Sequence, residues 1–185
     1  MRKVLIAFFL IGFVATAEAQ FGVRAGYNSA NFSDTNFDAK SGFHLGAYYT
    51  LGTDFISIEP GLFYSQKGYQ GTEDITGDPV DEKLGYIDIP VLVRLKLIPA
   101  INIFAGPQAS FLASRDYQLG DTSSSSTEVI RGYDVAGVVG AQAKLPLGFN
   151  IQASYDIGFT SLNYYDTDVK NQVFKVSLGY SFGGN

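Results

Sequence analysis

The sequence predicts an all-β chain folded as an eight-stranded antiparallel up-and-down barrel, and three observations lead there. Apolar residues recur with period two through eight separate runs, the period of a strand whose two faces meet different surroundings. The segments between runs alternate between tight turns and long polar stretches. The composition, with 21 Gly, 15 Phe and 12 Tyr against one Met and no Trp, is rich in aromatic strand formers and poor in helix formers.

Residues 1–19 have the pattern of an export signal and stand apart from the folding unit. Arg2 and Lys3 form a basic start, Val4 to Ala15 an apolar run broken only by Gly12, and Ala17-Glu18-Ala19 the small-x-small pattern that signal peptidase cuts. That run is shorter than the roughly 20 residues a membrane-spanning helix needs. The mature chain is therefore expected to start at Gln20, with residues 20–185 forming one domain.

The first run sets Phe21, Val23, Ala25 and Tyr27 against Gly22, Arg24, Gly26 and Asn28. In the second, Phe43 to Leu51 alternate with Gly42, His44, Gly46, Tyr48 and Thr50, and in the third Ile56 to Tyr64 alternate with Ser57, Glu59, Gly61, Phe63 and Ser65. The fourth opposes Ile87, Ile89, Val91, Val93 and Leu95 to Tyr86, Asp88, Pro90, Leu92, Arg94 and Lys96. The fifth opposes Ile101 to Phe111 to Asn102, Phe104, Gly106, Gln108, Ser110 and Leu112. The sixth (Tyr133 to Leu145), seventh (Phe149 to Phe159) and eighth (Phe174 to Phe182) place Asp134, Gln142, Lys144, Gln152, Asp156 and Lys175 on the polar face. No apolar set contains a charge. The runs are close in length to the roughly nine to eleven residues with which a tilted strand crosses a hydrocarbon layer.

Gly52-Thr53-Asp54, Leu97 to Ala100 and Pro146-Leu147-Gly148 are tight turns, whereas Ala30 to Ser41, Gly68 to Lys83, Arg115 to Ile130 and Ser161 to Lys170 are long polar connections. Short turns on one side and long loops on the other are the habit of transmembrane barrels, with the short side toward the periplasm. Alternation alone also fits a soluble barrel with its apolar face inside. The polar face argues against that, because it carries many glycines, which suit a cramped interior and weaken a water-exposed strand. An eight-stranded interior is also too narrow for the Phe, Ile, Leu, Tyr and Val of eight strands. The expected fold is thus an eight-stranded antiparallel up-and-down transmembrane β-barrel with its apolar face in lipid. Closure pairs the backbone groups that lipid cannot solvate.

Several motifs carry a family resemblance. Glu59-Pro60-Gly61-Leu62-Phe63-Tyr64-Ser65-Gln66-Lys67-Gly68, Tyr86-Ile87-Asp88-Ile89-Pro90, Ala105-Gly106-Pro107 and Leu178-Gly179-Tyr180-Ser181-Phe182 together resemble the porin family, or PorT-like outer-membrane β-barrel domain, along the whole mature chain. The resemblance implies an outer-membrane location in a Gram-negative cell and a barrel of the OmpA and OmpX kind, with no agreed activity. Such barrels usually end on an aromatic residue read by the barrel-assembly machinery. Here Gly183-Gly184-Asn185 follow Phe182.

Charge and cysteine content limit the function classes. The mature chain holds eleven basic and seventeen acidic residues, a net charge of −6, so nucleic acid is not an expected partner. Without cysteine there are no disulfides, thiolate metal sites or lipidated cysteine, and no cofactor or metal is expected. The expected partners are the lipid bilayer and lipopolysaccharide of the outer membrane and the assembly machinery, and the chain is expected to be a monomer.

On this register Arg24, Lys67, Arg94, Lys96, Lys144 and Lys175 point inward with Glu59, Asp88, Asp134 and Asp156. Buried charges need partners, so these should form a salt-bridge network that fills the lumen. A narrow gated path for ions or small solutes, in which Asp88 exchanges lysine partners, is the alternative. His44, the single histidine, faces the lumen near the loop end of its strand. A general base needs a partner within reach, and the sequence shows none, so a hydrogen-bonded lumen histidine is expected and no catalytic residue is assigned.

The long connections hold twelve acidic residues, among them Asp34, Glu73, Asp78, Glu82, Asp116, Asp121 and Asp166, against Lys40, Lys83, Arg115 and Lys170. A solvated acidic surface follows. Divalent cations bridging it to lipopolysaccharide phosphates are the functional alternative, although no segment has EF-hand spacing. Tyr27, Tyr49, Tyr64, Tyr133, Phe149, Tyr155, Phe159, Tyr180 and Phe182 sit toward strand ends on the apolar face, where they would form interfacial girdles. The function expected is a non-enzymatic outer-membrane barrel with a plugged polar lumen and a structural or surface-contact role, the gated pore standing as alternative.

Overall fold

The computed structural model describes residues 18–32, 38–53, 55–72, 79–119, 122–124, 132–160 and 170–182. Eight long strands form one closed sheet: β1 (Glu18–Phe32), β2 (Asp38–Gly52), β3 (Ile56–Thr72), β4 (Pro79–Ile98), β5 (Ile101–Leu119), β7 (Tyr133–Lys144), β8 (Phe149–Gly158) and β9 (Asn171–Phe182). Each pairs antiparallel with its neighbours in chain order, and β1 pairs with β9 to close the ring. A three-residue strand, β6 (Thr122–Ser124), folds back on the end of β5. The chain is an eight-stranded antiparallel up-and-down barrel, as its period-two pattern requires.

Burial follows the period. Along β8 exposed and buried residues alternate without a break from Phe149 to Gly158. The outward face exposes Phe, Ile, Leu, Val and Tyr from every long strand, an apolar band that water would not tolerate and that lipid accepts. The nine girdle aromatics all belong to this outer face. At the seam between first and last strands Phe21 stacks on Phe182, their ring centroids 5.7 Å apart, and Tyr180 sits edge-on between Phe182 and Phe149.

Three tight turns close one end of the barrel. The turn between β7 and β8 holds Leu147 at φ 63° beside Gly148 at φ 82°. A left-handed conformation is ordinary for Gly and costly for Leu, and Leu147 is nonetheless 85% exposed.

At the other end the strands outrun the sequence pattern. Of the four stretches read as long loops, parts of three are strand: β1 reaches Phe32 and β2 starts at Asp38, β3 and β4 pair up to Thr72 with Pro79, and β4 and β5 pair up to Val80 with Leu119. The ladder continues above the apolar band because backbone pairing, unlike lipid contact, does not depend on side-chain polarity. An extra residue in β5 accompanies this. Gly85 pairs with Ser114 and Tyr86 with Leu112, so Ala113 is a bulge that reverses which face the rest of β5 presents. Residues 161–169 of the fourth stretch, together with much of the expected loop acidity, lie outside the described residues.

Candidate functional site

The lumen contains the chemistry-bearing side chains, and they gather in two rows of charges, one around Glu59 and one around Asp88. Near the short-turn end, Glu59 of β3 receives two arginines. Arg24 Nη1 of β1 donates to its Oε1 at 2.9 Å and Arg94 Nη2 of β4 to the same oxygen at 2.6 Å. Thr50 donates to Oε2 at 3.3 Å. Arg94 also donates to Gln142 at 3.1 Å and Gln152 at 2.7 Å, which ties β4 to β7 and β8 across the barrel. Each guanidinium lies over a ring, Arg24 at 4.1 Å from the Tyr48 centroid and Arg94 at 4.5 Å from that of Phe104. Stacking plus a forked donor is what distinguishes arginine from lysine in such a place. Gly22 lies directly beneath the Tyr48 ring, which occupies the space a side chain would need.

Phe104 also meets Leu92 and Val138 in a small apolar cluster inside the lumen. Next comes a row built on lysines. Asp88 of β4 accepts from Lys67 at 3.0 Å and from Lys175 at 3.2 Å, one lysine on each carboxylate oxygen. Lys175 also lies 2.6 Å from Asp156, and Lys67 donates to Ser110 at 3.1 Å. Gln108 donates to Asp156 at 3.2 Å. All of these charged groups are buried. The gap left among them, bordered by Arg24, Asp88, Asp156 and Lys175, is about 30 Å³, room for no more than a few water molecules.

His44 lies alongside. Its Nδ1 is 2.6 Å from Asn28 Oδ1 and its Nε2 is 2.8 Å from Ser177 Oγ. The Asn28 amide nitrogen donates to the carbonyls of Phe43 at 3.0 Å and Gln66 at 2.9 Å, which fixes its oxygen toward the histidine. Nδ1 therefore carries the proton and Nε2 accepts from the Ser177 hydroxyl. The fold thus sets His44, read from the sequence as a hydrogen-bonded lumen histidine, in a Ser–His–Asn line whose members the sequence did not identify. The three residues come from β9, β2 and β1, and Ser177 is 133 positions from His44, beyond any local signal. All three are buried, and the gap of about 30 Å³ that reaches His44 and Ser177 has no room for an ester or peptide substrate.

Of the expected lumen charges, Arg24, Glu59, Lys67, Asp88, Arg94, Asp134, Asp156 and Lys175 are buried inside. Asp134 stands apart from the lysine row and accepts from Asn171 at 2.9 Å. Lys96 is half-buried and Lys144 exposed, both at the short-turn mouth, because the last residues of β4 and β7 have too few lumen neighbours to be covered. Lys144 therefore lies outside the buried network, contrary to expectation. The sequence reading also missed a pair. Arg115 Nε donates to Glu82 Oε1 at 2.5 Å, both buried at the far end, although both had been assigned to loops. Above the bulge the inward positions of β5 become odd-numbered, so a strict alternation places Arg115 outside. Among the described residues no three His, Asp or Glu side chains converge to hold a metal ion.

This architecture can be compared with known proteins. The sequence model of the outer membrane protein beta-barrel domain matches residues 4–182. The chain belongs to that family. It is an outer-membrane β-barrel protein, and its apolar band is the surface that meets the bilayer. Among solved structures it is similar to Ail, the attachment invasion locus protein of Yersinia pestis, with 17% identity, a TM-score of 0.57, and coverage of 89% of this chain and 99% of Ail. It is similar also to Neisserial surface protein A, with 12% identity, a TM-score of 0.59, and coverage of 90% and 99%. At such identities the likeness is one of fold. No functionally curated protein matches the sequence.

Proposed function

We propose that this family member is a non-enzymatic barrel whose lumen is sealed by its own side chains, and whose outer end makes contact with molecules at the cell surface. The observation that carries the reading is the fit of the lumen. Between the arginine and lysine rows lies a gap of about 30 Å³, and the four cations there meet three carboxylates in direct ion pairs. A hydrated ion cannot pass without breaking buried pairs, each break leaving an uncompensated charge at a cost of about 3–5 kcal/mol. Attachment, for which the Yersinia protein of similar fold is named, is one form the outer contact would take. Lipopolysaccharide is the nearest partner, and the acidic residues of the long connections would meet it through bridging divalent cations.

On this reading residues 1–19 are a cleaved signal peptide, the barrel-assembly machinery inserts the mature chain as a monomer, and the chain is of the PorT-like kind that its motifs resemble. The test is conductance in planar bilayers. The sealed lumen predicts no unitary steps at ordinary voltages from the purified, folded barrel.

One observation favours the alternative, a gated pore. Lys175 lies within reach of both Asp88 and Asp156, so the lysine row has two arrangements of similar charge pairing. A pore working this way would show steps whose frequency changes in Asp88→Asn. The buried Ser177–His44–Asn28 line has no room for a substrate, and activity on lipids or peptides that disappears in His44→Ala would overturn the non-enzymatic reading.

A further inference from the structure

Half of the chain's prolines stand where a strand seldom holds one. Pro79, Pro99 and Pro146 begin a strand or lie in a turn, whereas Pro60, Pro90 and Pro107 are inside β3, β4 and β5. The register sets these three side by side: Pro60 pairs with Val91, the residue next to Pro90, and Pro90 pairs with Gln108, next to Pro107. Each ladder breaks along this line. Pairing passes from Tyr48–Gly61 to Leu51–Ile58 between β2 and β3, from Pro60–Val91 to Phe63–Asp88 between β3 and β4, and from Pro90–Gln108 to Val93–Ala105 between β4 and β5. The cause is covalent. A proline nitrogen carries no hydrogen, so the residues opposite the three prolines, Tyr49, Gly61 and Val91, each lose a ladder bond. Lipid offers no replacement donor, which makes three such breaks on adjacent strands costly to keep.

The opposite wall has no such line: β1 with β9, β9 with β8 and β8 with β7 all hold register without a gap. On β3 and β4 the prolines also separate the two rows of charges. Glu59 and Arg94 lie on the short-turn side, and Arg94 reaches across to Gln142 and Gln152 of the continuous wall. Lys67 and Asp88 lie on the outer side, joined to that wall through Lys175. The strand extensions toward Thr72, Pro79 and Leu119 belong to the same three strands. Pro90 itself borders the small gap in the lumen.

We propose that the line of prolines is a hinge in the barrel wall. The outer parts of β3, β4 and β5 move as one body against a base braced by the arginine row, and the flexible lysine contacts yield with the movement. A load placed on the strand extensions is thereby felt at Asp88, whereas Glu59 stays fixed.

Distances between paired spin labels, read by double electron–electron resonance on the folded barrel in lipid vesicles, test this. The chain has no cysteine, so labels go only where cysteines are introduced. Val23→Cys with Phe111→Cys joins the β1 base to outer β5 across the line, and Val23→Cys with Ile157→Cys joins the same base to outer β8 along the continuous wall; all three side chains face outward. The first pair is expected to give a distance distribution about twice as wide as the second, or two peaks, since hinge motions are collective and large. Pro60→Val with Pro90→Ala and Pro107→Val returns three N–H donors, the smaller residue going to the buried position, and should narrow the first pair to the width of the second. Heat-dependent gel mobility verifies folding, and if the triple variant does not fold, Pro107→Val alone, on the exposed face, should narrow the distribution in part. Equal widths for the two pairs in the unaltered barrel, or a wide first pair that the proline substitutions leave unchanged, would each overturn the hinge. Because the labels read distance and bilayers read conductance, failure here leaves the sealed lumen standing.

Discussion

The arginine row and the lysine row do the same job with different chemistry. Around Glu59 the cations are planar, stacked on Tyr48 and Phe104, and forked onto several acceptors at once. Around Asp88 they are point charges on flexible stems, and one of them is shared between two carboxylates. The first arrangement fixes the direction of every donor in a planar fork; the second leaves rotatable donors on flexible stems. The difference teaches where this barrel is rigid and where it can rearrange: an arginine row fixes the distance between opposite walls, and a lysine row tolerates exchange of partners.

The contrast should appear first in stability. Glu59→Gln leaves two buried guanidiniums facing each other, and urea unfolding from lipid vesicles is expected to show a loss of about 3–5 kcal/mol. A loss below about 1 kcal/mol would mean that water reaches the row and compensates it. Asp88→Asn should cost less, about 2 kcal/mol, because Lys175 retains Asp156 and Lys67 retains Ser110. If the two losses were equal, the distinction between the rows would fail.

Arg94→Lys sharpens the comparison from the other side. A lysine cannot reach Glu59, Gln142 and Gln152 together or stack as a plane on Phe104, so the expected loss is about 1–3 kcal/mol despite conserved charge. Lys67→Arg in the lysine row is the counterpart, and its outcome shows whether that row accepts the larger head. Smaller again is Tyr48→Phe, which removes the hydroxyl between Ser181 and Asn150 at about 1 kcal/mol, read by the same unfolding measurement. Smallest is Lys144→Gln, exposed at the mouth, with a stability change within about 0.5 kcal/mol.

The sequence carried the part of this molecule that obeys one period. Strand number, the direction of each apolar face and the inward placement of Arg24, Glu59, Asp88, Arg94 and Lys175 all follow from alternation, because each β-residue must point to one side or the other. Partner identity did not follow. Arg24 and Glu59 are 35 positions apart and Lys175 and Asp88 are 87, so which charges share a row depends on strand stagger around the ring. The Ser177–His44–Asn28 line was hidden for the same reason. Arg115 and Glu82 were missed through the bulge at Ala113, since one extra residue inverts every later position in a strand. The strand extensions toward Thr72, Pro79 and Leu119 escaped because their outward residues need not be apolar once they leave the membrane.

The pairing of β1 with β9 gives the molecule a history as well as a shape. Every other ladder joins strands close in sequence and can form as a local hairpin, whereas Phe21 meets Phe182 only after the chain has been followed around the whole circumference. The last strand therefore acts as a completeness check. A polypeptide cut short by one strand would keep its hairpins but leave two unpaired edges in contact with lipid, the condition a bilayer tolerates least. Conversely, because the first and last strands lie side by side, the ring can be opened elsewhere: linking them through a short turn and cutting at Pro99 would shift the slow step of closure to the β4–β5 seam while keeping the strand order of the barrel.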